Sequence, residues 1–108
     1  TVILQYKKLE EERRALLSED VLILEEYYTR MEGTAYYVEG FIYKSLYSEE
    51  AFQSRYVDDI DVYTQGSNKY YKIGMAQCMI LDHLDDEWKA DYNFSESIMD
   101  LIYERLEI

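Results

Sequence analysis

A chain of 108 residues with 48% hydrophobic content is the size of one ordinary domain and can cover a core of its own. Its 23 Asp and Glu against 11 Lys and Arg give a formal charge of -12, which repels phosphate backbones and anionic lipid and so argues against nucleic acid or membrane partners. The single cysteine, Cys78, precludes an internal disulfide and a cysteine-rich zinc site, and the apolar runs "VLIL" and "CMIL" are far shorter than the ~20 residues of a spanning helix.

Proline is absent, only 4 glycines occur, and apolar residues recur at three- and four-residue spacing, a pattern of helices throughout. The expected fold is all-α, a single bundle of about five helices spanning residues 1–108, with a long second helix and a buried fourth. The opening "TVILQYKKLEEERR" reads as the middle of an element, so the chain is expected to be a fragment of a longer protein. The first helix runs to about Leu17, with Val2, Leu9 and Leu16 on one stripe and "EEERR" facing water. Ser18 is placed to cap the second, which extends to about Tyr47.

A weaker third helix follows Ser48 and carries Phe52, Tyr56 and Ile60; "DVYTQGSN" then reads as a loop turning at Gly66. The fourth helix covers Lys69 to Leu84, and a short amphipathic turn holds Trp88. The last is expected to start at Asn93, with Glu96 at capping-box spacing and an apolar stripe of Ile98, Leu101, Ile102 and Leu106.

The second helix raises the sharpest question, because Gly33 and Gly40 each cost roughly 1 kcal/mol against alanine in a helix interior. At 100 degrees per residue, Leu24, Tyr28, Met31, Ala35, Val38 and Ile42 fall together and are expected to be the buried stripe. The glycines lie nearly opposite, where close passage of a second element would explain them. Glu25, Glu32 and Glu39 recur every seven residues along the border of that stripe, with Tyr36 and Tyr43 beside them. Such a line is either a set of carboxylates presented into a cleft or the ordinary solvated flank of a helix.

Other constellations carry less. His83 suits the C-terminal dipole of the fourth helix, and Cys78 lies in a strongly apolar segment as inert core. The acidic loop fails as a calcium site: with Gly66 at the sixth EF-hand position, the third is Tyr63 and the twelfth Lys72. Glycine-rich phosphate loops, G-x-S-x-G elbows and paired-cysteine motifs are absent from the sequence.

The string "EGTAYYVE", Glu32 to Glu39, resembles a segment of zinc metallopeptidases of the gluzincin kind, in which a glutamate on a later helix completes a site begun by an HExxH helix. "YYKIGMAQCMILDHLDDEWK" is similar to a stretch toward the C-terminal end of such proteins, through Tyr71, Gly74, Leu81 with Asp82, and Trp88 with Lys89. The resemblance implies Glu32 as the third metal ligand, with Glu39 and Tyr36 supporting it from outside the coordination sphere. It implies Tyr71 as a donor to the oxyanion formed when water attacks a peptide carbonyl. Zinc is then expected in the full-length protein and none in this chain alone, which lacks HExxH and is expected to be inactive. The partner implied is the missing N-terminal part. The alternative reading is a non-catalytic helical interaction module, self-associating through tyrosine- and methionine-rich faces.

Overall fold

Helix boundaries follow serine caps. Ser18 Oγ accepts from Val21 N at 3.3 Å, Ser48 Oγ from Ala51 N at 3.0 Å and Ser97 Oγ from Asp100 N at 3.3 Å, each satisfying an N–H that the first helical turn leaves without a partner. The computed structural model describes residues 2–62, 66 and 68–108; the expected loop "DVYTQGSN" lies partly at 63–65 and 67, outside the described residues. Among the described residues the elements are α1 (Val2–Ala15), α2 (Glu19–Leu46), α3 (Glu49–Phe52), a π-helical turn (Gln53–Val57), α4 (Asn68–Leu84), α5 (Trp88–Asp91) and α6 (Ile98–Leu106). The fold is all-α, with no strand among the described residues. Gly66 has the left-handed φ of 72° expected at the turn before α4.

α2 and α4 form the central pair, and α6 packs against α4. From α4, Gly74, Cys78 and Leu81 recur at helical spacing beside Met75, and from α6 come Ile98, Leu101 and Ile102. Tyr37 of α2, Phe52, Tyr56 and Trp88 close the core. Cys78, Leu81 and Ile102 are fully enclosed, and burial pushes the Cys78 thiol up to about 12, as inert core requires.

Three expectations are corrected. The buried face of α2 carries Gly33, Thr34, Tyr37 and Gly40, while the stripe of Leu24, Met31, Ala35, Val38 and Ile42 faces outward. The helix is apolar on two faces, and periodicity alone does not say which one packs; the glycine face wins because it lets another backbone approach. In α1 no residue is buried, and Val2, Leu9 and Leu16 stand exposed. The last helix begins at Ile98, because Phe94 takes a left-handed φ of 64° and Asn93 Oδ1 accepts from Ser95 N at 3.0 Å in a turn of its own.

The radius of gyration is 14.3 Å, against roughly 13 Å for a chain of about this length, and α1 lies at the edge of the body with no buried residue. Ile3 packs against the edge of the core, and the rest of the attachment of α1 is polar. Arg13 makes a two-pronged bond to Glu25, Nη2 to Oε1 at 3.0 Å and Nη1 to Oε2 at 3.1 Å, and Lys7 donates to the Ile108 carbonyl.

Candidate functional site

The two glycines of α2 have separate explanations. A methyl group built on Gly33 would overlap the Cα of Gly74, so α2 and α4 cross backbone to backbone. A methyl group on Gly40 would meet ring edges, Phe52 Cε1 at 3.0 Å and Tyr56 Cδ1 at 3.5 Å. Thr34, next to the crossing, turns its hydroxyl back onto the Arg30 carbonyl at 2.6 Å, which satisfies it within its own helix.

The residues of the second string form a clasp. Asp82 Oδ2 accepts from the Tyr37 hydroxyl at 2.5 Å and Oδ1 from Trp88 Nε1 at 2.9 Å. Lys89 Nζ donates to the Tyr37 oxygen at 2.8 Å, lies 3.5 Å from Asp82, and sits over the rings of Tyr37 and Phe41. Burial, and then the bond to Asp82, raise the Tyr37 hydroxyl, while the bond to Tyr37 raises Lys89. Asp82, Trp88, Lys89 and Gly74 thus have packing roles that tie α2, α4 and α5 together, and sequence reasoning missed Tyr37 as the hub.

The four residues assigned to the peptidase-like site lie along one edge, where α2 meets α4 and the π-helical turn. Tyr36 packs against Tyr56 with ring centroids 5.1 Å apart and against Tyr71 at 5.9 Å. Tyr71 is half-buried there. Burial, then the nearby Glu39, raise the Tyr36 hydroxyl. Glu39 is exposed and accepts from the Tyr56 hydroxyl at 2.8 Å. Glu32 is half-buried and has no hydrogen bond or ion pair among the described residues.

Among the described residues no group of three or more His, Cys, Asp or Glu side chains is placed to hold a metal ion. Zinc takes three protein ligands at a catalytic site, so a zinc held through Glu32 needs donors beyond these residues.

A cleft of about 620 Å³ opens under α1 between α2, α4 and α6. Much of its charge is internally matched, Arg13 with Glu10 and Glu25 and Arg30 with Glu26. Arg30 Nε, buried beside it, has no hydrogen-bond partner among the described residues. A second cleft of about 440 Å³, reached past Tyr6 and Ile73, is walled by apolar side chains of α1, α4 and α6.

The feature with the clearest directional pattern is the outward face of α2. Val21, Leu24, Tyr28, Met31, Ala35, Val38 and Ile42 alternate at spacings of three and four, a seam of three heptads opposite Gly33 in which Tyr28 leans back, half-buried, onto Tyr70. Val21 is 42% exposed, Leu24 53%, Met31 39%, Val38 52% and Ile42 54%. Glu25, Glu32 and Glu39 run down one border of the seam, and Tyr27 and Phe41, also exposed, stand on the other. The sequence signal for this seam was present in its heptad spacing; its outward direction was not.

No family model, curated protein or solved structure matches this chain, so its site is read from geometry and chemistry alone.

Proposed function

We propose that this chain is a non-catalytic interaction module that docks a helix of another protein along the outward face of α2. The observation that carries the reading is the exposed heptad seam from Val21 to Ile42 on a helix whose opposite face already packs against α4. A helix that needs only one apolar face for its own fold, and has two, has one left for a partner. Burying the exposed halves of Leu24, Val38 and Ile42 contributes about 1 kcal/mol each, and an apolar helix laid along the seam would seat its own residues between them.

A helix of a different protein suits the face better than a second copy. Each copy carries -12, and antiparallel pairing would set the line of Glu25, Glu32 and Glu39 against itself. A parallel pair avoids that collision and still brings together two strongly acidic chains.

The test uses a synthetic three-heptad helix with leucine at the seam positions and lysine on both flanks, titrated calorimetrically into the chain. One-to-one binding is expected, weakened at least tenfold by Val38→Asp, a change at an exposed position that leaves the fold intact by circular dichroism. Absence of binding overturns the proposal. So does sedimentation equilibrium showing a dimer that Val38→Asp dissociates and that excludes the peptide, which would assign the seam to self-association.

A further inference from the structure

We infer that Glu32 is the position at which this module reads a lysine or arginine side chain of its partner, the cation being held between its carboxylate and the rings of Tyr28 and Tyr36. The inference rests on the docking reading above and adds to it the chemistry of recognition.

The three glutamates that border the seam are equivalent in sequence register and unequal in the fold. Glu25 is taken by Arg13 at 3.0 Å and by the Tyr70 hydroxyl at 3.0 Å. Glu39 is taken by the Tyr56 hydroxyl at 2.8 Å. Glu32, at the centre of the seam, is half-buried with no such partner among the described residues. A carboxylate partly withdrawn from water and left without a donor loses solvation that a partner's cation restores.

Its surroundings suit a cation. Tyr28 and Tyr36 stand four residues before and after Glu32, one turn away on the same side of the helix. Both rings are held in place from behind: Tyr28 stacks on Tyr70 at 5.9 Å with 10° between planes, and Tyr36 leans on Tyr71 and Tyr56. A fixed aromatic pair flanking a carboxylate offers an incoming ammonium or guanidinium both a charge partner and ring faces, with little ordering cost. Cations already on this edge are engaged elsewhere, Lys69 over the Tyr70 ring and Arg55 over Tyr43 and Tyr56. The net charge of -12 draws a basic partner to the face and leaves the central pair to fix its register.

The experiment is a double-mutant cycle with the lysine-flanked peptide and a version whose central flanking lysines are replaced by norleucine. Glu32→Gln is expected to weaken the lysine peptide about tenfold and the norleucine peptide hardly at all, while Glu39→Gln shows little coupling in either. Tyr36→Leu should weaken the lysine peptide more than the norleucine one. If the peptide binds and Glu32→Gln couples no more strongly than Glu39→Gln, this inference falls and docking stands. If the peptide does not bind at all, both fall. Unchanged thermal melting of Glu32→Gln separates these outcomes from misfolding.

Discussion

Gly33 and Gly74 bring the backbones of α2 and α4 into direct contact, and the packing of the central helix pair is built around that point. The contact explains why a helix former was not used at either position. Gly33→Ala gains roughly 1 kcal/mol of helix propensity but forces two backbones apart, where overpacking costs typically 1–3 kcal/mol or more. The expected net result is destabilisation of about 1–2 kcal/mol, a drop in Tm on the order of 5–15 °C for a domain of this size. Gly40→Ala meets the ring edges of Phe52 and Tyr56, side chains and no backbone, and is expected to lower Tm less than Gly33→Ala. Thermal melts of the two variants side by side check the contrast, and equal losses would mean that the backbone crossing is not the cause.

Asp82 is the acceptor on which α2 and α5 converge. Asp82→Ala leaves the Tyr37 hydroxyl and Trp88 N–H, both on buried residues, without their acceptor, and is expected to cost about 1–3 kcal/mol. Asp82→Asn retains an acceptor and should cost less. Trp88 supplies the readout as the only tryptophan: its emission should shift red in Asp82→Ala as α5 loosens, and unchanged emission and stability would remove the clasp from the account.

The elements were legible wherever a local signal sufficed. Ser18 and Ser48 mark helix starts by a side-chain oxygen three residues from its N–H, and Ile98, Leu101 and Ile102 announce their burial by spacing. Which face of α2 turns inward was not legible, since two apolar or small-residue faces satisfy the same period and the choice is made by Gly74, more than forty positions away. The same holds for the clasp: Tyr37, Asp82 and Lys89 are unremarkable alone, and only the fold sets them within hydrogen-bonding distance. The glutamate line was visible as a repeat of seven, but the difference between a paired Glu25 and an unpaired Glu32 depends on Arg13 and Tyr70, which come from other helices.

Charge contributes to the attachment of α1, and acid should weaken it. Burial raises the Glu25 carboxyl, but the bonds from Arg13 and Tyr70 outweigh it and hold the group below its ordinary 4.5. A carboxyl whose pKa is lower in the folded state stabilises that state above the unfolded value and loses the contribution as pH falls through the folded one. Looser attachment of α1 is therefore expected as pH falls below the ordinary 4.5 through the folded value, and Glu25→Gln should produce it at neutral pH. Hydrogen exchange at neutral pH checks the variant: amides of α1 in Glu25→Gln should exchange faster than in the parent, while those of α4 stay protected. Unchanged α1 protection would show that the Arg13 pair is not what holds the helix.

At alkaline pH the tyrosines should limit stability. Burial is the first cause that lifts Tyr92 to about 12, and it also raises Tyr37 and Tyr56 above their ordinary 10. Above pH 10 the unfolded chain ionises these phenols while the folded chain keeps them protonated. The unfolded state then binds fewer protons, and the unfolding free energy falls as pH rises through the folded values. Absorbance at the phenolate band should therefore show a late phase that coincides with loss of helical circular dichroism. The Cys78 thiol, pushed up to about 12, should become reactive in that same late phase. A single smooth tyrosine titration centred near 10 with the helices still intact would contradict the burial of these rings.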